Sequence, residues 1–394
     1  MGGGVDAVVQ LAEALKASKC FDILISTRLR NYSYVAKQFD TPPNSKNFFQ
    51  APVCSTYLHN DSFPCSHPQW LGPLGYQGSK AAMNTVSQAD VVLALGTRLG
   101  PFGALPQYGV DYWPKGAKII QVDTNPRKIG LTNDINVGIL GDAKLATLAI
   151  AKELEGKTVA SANTAAERLA AAKAAREAWE DELTGLSVTP AGQDEMEPRE
   201  ALRELEKAMP KDAMVSTDIG NICSVSNSYL RFNKPGSFFA AMAFGNCGYA
   251  FPCAMGAKIG APERPSIAYV GDGAWGMSLN EILTCVRENI PAIAVVFNNG
   301  QWGAEKKNQV DFYGDRYVGT NIINPSFAEL SRTMGAEGLK VSKAEEVGPA
   351  LTKLIQSGKP GVLEIMVSKT LADPFRRDAL SKPVRHLEKY KAFV

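Results

Sequence analysis

The sequence predicts an α/β protein built from two doubly wound domains with mainly parallel sheets. Three observations point there. Short apolar runs alternate with segments of helical apolar spacing along most of the chain. The apolar runs close on glycine, aspartate and asparagine, as buried strands do where they turn. A charged, alanine-rich stretch near the middle interrupts the alternation and divides it into two blocks.

In the first block, "VDAVVQLAEALKA" (5–17) has helical spacing. "NTVSQADVVLALGTRLG" reads as the end of a helix followed by a buried strand, and "AKIIQVDTNP" (117–126) as a second strand ending in turn residues. "GDAKLATLAIAKEL" (141–154) returns to helical periodicity. The interrupting stretch includes "AAERLAAAKAAREAWEDEL", which reads as a solvated helix. In the second block "PREALRELEKAMP" is a helix, "AMVSTDIG" a strand, "RPSIAYVGDG" a strand, "NEILTCVREN" a helix and "PAIAVVFNN" a strand. "AELSRTMGAEGLKV" and "GVLEIMVSK" continue the alternation, and the tail from "RRD" onward reads as a solvated helix. The domains are therefore expected at residues 1–155 and 196–394, with a helical linker over 156–195.

Residues 18–50 do not fit this pattern. They contain no glycine and are crowded with phenylalanine and tyrosine, and removing them joins "LAEALKA" directly to "APVCSTYLHND". The segment reads either as a surface insertion or as non-native coding sequence such as an unspliced intron. The second reading fits better, since structureless loops of this length are uncommon in compact domains.

Composition narrows the function classes. The 394 residues are 45% hydrophobic and 21% charged, with a formal net charge of +2. Nothing concentrates positive charge, which disfavours nucleic-acid and membrane-surface roles. The seven cysteines show no CxxC pairing, so they read as reduced thiols. No apolar run is long enough for a bilayer span, and a cytoplasmic location is expected.

The chemistry concentrates between residues 271 and 303. Gly271–Asp272–Gly273 lies at the carboxyl end of one buried strand and Asn298–Asn299 at the end of the next. A right-handed crossover sets such strands side by side, about 5 Å apart, with both ends on the edge where open α/β sheets bind ligands. Asp272 and Asn299 then offer a carboxylate and an amide oxygen, and Gln301 a backbone carbonyl. Three hard oxygen donors with room left over suit Mg²⁺, which completes its shell with phosphate and water. Gly273 and Ala274 open the following helix, whose N–H groups favour an anion. The set reads as a metal-bridged diphosphate site.

"GDG", a helix and a strand ending in "NN" resemble the signature of thiamine-diphosphate enzymes. The resemblance implies that Asp272, Asn299 and the Gln301 carbonyl hold Mg²⁺ against the diphosphate of thiamine diphosphate. It extends to "STDIGN" (216–221), where Asp218, Gly220 and Asn221 match a segment lining the diphosphate end. It also covers "AFGNCGYAFPCAMGAK" (243–258), whose Gly245, Asn246, Cys247 and Gly248 fall in the segment that cradles the aminopyrimidine. Many relatives carry a bulkier apolar wedge at the position of Cys247. Trp302, after the metal loop, is placed either beside the thiazolium or as an anchor of the turn.

Three longer blocks, "YLHNDSFPCSHPQWLGPLGYQGSKAAM", "LGTRLGPFGALPQYGVDYWP" and "STDIGNICSVSNSYLRF", resemble one branch of that family. Its members cleave sulfoacetaldehyde, release sulfite and pass the acetyl group to phosphate. An acetolactate-synthase-like carboligase and a non-catalytic cofactor-binding subunit are the alternatives. In the family, a glutamate from a pyrimidine-binding domain activates the cofactor. The chain opens at "MGGGV", at the central domain's first turn, so no catalytic residue is assigned and the chain is expected to be part of a longer enzyme. Relatives form the active site between subunits, which implies a homo-oligomer or a complementing pyrimidine-binding domain. His59 and His67 read as structural loop residues, and any nucleotide site near Lys80 and Arg98 as vestigial.

Overall fold

The computed structural model describes residues 21–25, 51–57, 59–100, 103–110, 116–154, 162–241 and 244–370. The helix expected over 5–17 and the tail from 376 lie outside the described residues. The chain divides into two units, the first running to Asp181 and the second beginning at Glu182, with Phe232–Pro235 grouped with the first.

The first unit holds strands β1 (Phe21–Ile25), β2 (Val53–Ser55) and β3 (Trp70–Pro73), then helix α1 (Lys80–Val86). Strands β4 (Val91–Leu95), β5 (Lys118–Asp123) and β6 (Val137–Leu140) follow, with helix α2 (Ala143–Leu154) after them. The strand order is β3-β2-β1-β4-β5-β6, and every recorded pairing is parallel. Val91–Leu95 is buried along its whole length, which is why it reads as an unbroken apolar run rather than an alternating one. Ser79 starts α1 by accepting the Ala82 N–H at 3.2 Å. At the carboxyl edge the buried Gln121 amide donates to the carbonyls of Thr97 (2.9 Å) and Lys128 (3.2 Å), and its oxygen accepts the Gly130 N–H (2.8 Å). His67 uses Nδ1 to accept the Gln69 N–H and packs edge-on against Phe63 with ring centroids 4.9 Å apart, in keeping with a structural role.

Both readings of residues 18–50, surface insertion and non-native coding sequence, left the segment out of the sheet, and that is corrected at its described part. Phe21–Ile25 is β1, an interior strand, in register with Val53–Ser55 on one side and with Val91–Leu95 on the other. Periodicity hid this, because "FDILI" is a short apolar run with no turn signal beside it.

Helix α3 (Ala162–Leu186) occupies much of the expected linker. It is solvated over most of its surface, but Ala172, Trp179 and Leu183 are buried, and Trp179 packs on Tyr108 with ring centroids 5.4 Å apart.

The second unit contains α4 (Pro198–Ala208), β7 (Met214–Thr217), α5 (Asn221–Ser226), β8 (Phe238–Ala240), α6 (Ala250–Gly260) and β9 (Ser266–Gly271). It continues with α7 (Asp272–Trp275), α8 (Glu281–Glu288), β10 (Ala292–Asn298), α9 (Gly303–Tyr313) and α10 (Phe327–Thr333). The last elements are β11 (Glu337–Val341), α11 (Ala344–Ser357) and β12 (Gly361–Met366). The strand order is β11-β12-β10-β9-β7-β8, again with parallel pairings. Phe251, Trp275, Ile282, Cys285, Val296 and Phe327 pack in one buried cluster, with Phe251 and Trp275 edge to face at 5.1 Å. The chemistry-bearing loops thus leave a close-packed support.

Candidate functional site

Strand order defines where the second unit places its loops. β7 has β8 on one side and β9 on the other, so the chain direction across the sheet reverses between β7 and β9. Loops leaving the carboxyl ends of strands at such a switch point diverge and leave a crevice. Asp218 directly follows β7, Asp272 follows β9 and Asn299 follows β10. Parallel pairing brings all three to one edge.

Asp218 acts as a clasp. It is 2% exposed, and its carboxylate oxygens accept backbone N–H groups of Ile219 (3.0 Å), Gly248 (3.0 Å) and Ala250 (2.9 Å). Burial pushes its carboxyl above the usual range, while these N–H donors pull the other way. The clasp holds residues 244–250 against the sheet edge. Gly220 and Gly248 sit at φ 131° and 81°, where a side chain would be strained. A Cβ on Gly248 would also approach the Met277 Cβ to 3.1 Å, so this turn rests on the chain leaving α7. Gly245 and Asn246 are exposed on the turn, and no hydrogen bond joins them to Asp272 among the described residues. Cys247 is half-buried, and burial, then the charges of Asp218 and Glu305, push its thiol up. It presents a neutral thiol rather than a thiolate.

The second half of the edge gathers around Asp272. This carboxylate is buried and accepts Asn324 Nδ2 at 2.7 Å, and the same nitrogen donates to Asn298 Oδ1 at 3.0 Å. Burial raises the Asp272 carboxyl, opposed by Asn324 and by backbone N–H groups including those of Gly273 and Gly300. The amides of Asn221 and Asn299 converge on Gly303, lying 3.4 and 3.8 Å from a Cβ placed there. Gln301 turns its side chain away from this group: Nε2 donates to the Lys369 carbonyl (2.9 Å) and Oε1 accepts Lys306 Nζ (3.0 Å). The bridge between Gln301 and Asn321 is carried by Ile322 N–H to the Gly300 carbonyl (2.8 Å) and Trp302 N–H to the Thr320 carbonyl (2.8 Å). That antiparallel pattern leaves residue 301's own carbonyl out of the pairing.

Trp302 lies over Gly273, where an added Cβ would meet the indole at 2.8 Å. The buried Ala274 sits in the same single turn, α7. Gly273→Ala is expected to displace the Trp302 ring and destabilise the fold by about 1–3 kcal/mol. A shift in tryptophan emission together with a lower urea midpoint checks this.

Two residues of this group escaped the sequence reading. Asn324 lies in the irregular stretch before α10 and carries no motif. Glu364 lies within β12, wholly buried. Its signal was legible: a carboxylate inside the apolar run "GVLEIMV" demands partners.

The donor set can be tested against a metal. Among the described residues no three His, Cys, Asp or Glu side chains come together as a metal-holding group. One carboxylate, one amide and one free carbonyl are all hard oxygens, too few for a site made by protein alone. They fit a cation whose shell is completed by phosphate, as Mg²⁺ requires.

The family description "Thiamine pyrophosphate enzyme, C-terminal TPP binding domain" matches residues 218–365, and "Thiamine pyrophosphate enzyme, central domain" matches residues 46–150. The chain belongs to the thiamine pyrophosphate enzyme family. It is 59% identical over 361 residues to "Sulfoacetaldehyde acetyltransferase" of Castellaniella defragrans, covering 87% of this chain and 60% of that protein. It is 42% identical over 406 residues to "Probable sulfoacetaldehyde acetyltransferase" of Rhizobium meliloti, covering 97% and 67%. Identity to "Acetolactate synthase large subunit" of Corynebacterium glutamicum is 32% over 330 residues, covering 81% and 50%. The chain spans about 60% of the length of the first two sulfoacetaldehyde acetyltransferases it matches.

Proposed function

We propose that this chain carries the central and diphosphate-binding parts of an acetyltransferase that cleaves sulfoacetaldehyde, releases sulfite and passes the acetyl group to phosphate. The observation that carries the proposal is the likeness, at 45–59% identity over 85–87% of the chain, to proteins of that name, against 32% for a carboligase. In this reading Asp272, Asn299 and the Gln301 carbonyl hold Mg²⁺ against the diphosphate, with Gly273 and Ala274 beneath it and Trp302 bracing Gly273. Asn221 joins Asn299 at Gly303. Asp218 holds the turn on which Gly245, Asn246, Cys247 and Gly248 meet the aminopyrimidine, and Gly220 lies beside it at the diphosphate end. When bound, thiamine diphosphate supplies the nucleophilic carbon for carbonyl chemistry; the protein supplies position and electrostatics.

Phe244 is 90% exposed beside that turn, as an apolar side chain awaiting a second wall would be. A pyrimidine-binding domain, from a second copy in a homo-oligomer or from a complementing polypeptide, is proposed as that wall. A cytoplasmic setting is proposed from the free thiols of Cys247 and Cys285. No helix among the described residues is long and apolar enough to cross a membrane.

The test is sulfite release and acetyl phosphate formation from sulfoacetaldehyde and phosphate. Supplying the pyrimidine-binding domain to the purified chain is expected to raise turnover about a hundredfold or more, the scale of one acid–base group. Acetolactate from pyruvate, with no sulfite release, would move the assignment to the carboligases.

A further inference from the structure

Two hydrogen-bonded side chains, Asn298 and Asn324, connect Glu364 to Asp272, one of the three proposed metal donors. Glu364 Oε1 accepts Asn298 Nδ2 at 2.9 Å, and its Oε2 accepts Ser326 Oγ at 3.1 Å and the Ala328 N–H at 3.0 Å. Lys340 Nζ stands 3.5 Å from Oε1. Three donors and an ammonium around a side chain with no exposed surface fit an acceptor-only carboxylate.

That carboxylate sets the direction of everything after it. Because Asn298 must turn its NH₂ toward Glu364, its Oδ1 faces the Gly300 N–H (3.3 Å) and Asn324 Nδ2 (3.0 Å). Asn324 must then present its NH₂, which it shares with Asp272 Oδ2 at 2.7 Å. Reversing Asn298 would set its oxygen against Glu364 and its NH₂ against two donors. Reversing Asn324 would set its oxygen against Asn298 Oδ1 and the Asp272 carboxylate. A carboxylate at each end and two amides between them leave one consistent arrangement.

We propose that Glu364 is a positioning residue of the metal site, fixing the orientation of the Asp272 carboxylate through Asn298 and Asn324. This rests on the reading of Asp272 as a ligand of Mg²⁺. Partners that orient a metal-binding side chain typically contribute about 10–100-fold in metal affinity. Glu364→Leu removes the acceptor of Asn298 Nδ2, so nothing at that end fixes the direction of the Asn298 amide. Asn324→Ala removes the final link of the chain to Asp272 without touching Glu364.

The experiment titrates Mn²⁺ into the full chain with thiamine diphosphate and the pyrimidine-binding domain present, following free Mn²⁺ by electron paramagnetic resonance. Both variants are expected to weaken Mn²⁺ binding at least tenfold. The double variant should be no weaker than the poorer single one, because both act along one path. Ser326→Ala removes a Glu364 partner on the side leading away from Asp272. It should lower Tm through loss of the α10 cap while leaving Mn²⁺ affinity within about twofold. Unchanged Mn²⁺ affinity in both variants, or an equal loss in Ser326→Ala, would overturn the inference while the metal site itself stood. No Mn²⁺ binding by the unsubstituted protein would overturn both the metal reading and this inference.

Discussion

Asp272→Ala is expected to abolish Mg²⁺-dependent binding of thiamine diphosphate. Among the three proposed oxygen donors Asp272 alone carries charge, so its loss leaves a dication and a diphosphate on two neutral oxygens. Calorimetry with cofactor and Mg²⁺ checks this, and unchanged affinity would remove Asp272 from the site. Its environment adds a pH dependence with a definite sign. Burial raises the folded carboxyl above its unfolded value. Without metal, the associated stability is therefore fully present below the ordinary carboxylate range and is lost as pH rises through the raised folded value. Metal binding needs the ionised form, so the gain in Tm from Mg²⁺ and cofactor should grow as pH rises through the same window. Asp272→Asn should remove that contribution to the slope while also losing the metal.

Deleting residues 18–50 is expected to unfold the first unit or to lower its Tm by more than ten degrees. The segment supplies β1, which pairs with three residues of β2 and five of β4. Without it, β2 and β4 face each other across a missing strand and their backbone groups lose their partners. A loss of several kcal/mol follows, and each kcal/mol is worth roughly 2–4 °C in a domain of this size. A deletion variant with an unchanged melting curve would show that the sheet closes without β1 and that the segment is dispensable, as its composition suggests.

The alternation of elements in the second unit was legible because each step has a strong local cause. "AIAVVF" is apolar on both faces, as a strand buried between two layers must be, and "NEILTCVREN" keeps one apolar stripe. Asp272 and Asn299 could be set on one edge because parallel strands joined by a crossover leave no other arrangement. Trp302 was placed near the cofactor or as an anchor, and the structure shows it packed over Gly273.

Local pattern by itself determined the α/β class, the two blocks and the two strand ends that carry the candidate metal donors. Unbroken apolar runs, 3.6-residue spacing and turn residues act over a few positions, so a single chain records them. Tertiary structure alone decided the rest. It set "FDILI" inside a sheet, turned Asp218 into a clasp for Gly248 and Ala250, and brought Asn324 and Glu364 into line with Asp272. Those outcomes depend on which strands become neighbours and which way buried amides point. Such choices are made by hydrogen-bond satisfaction between residues tens of positions apart, where no local periodicity reaches.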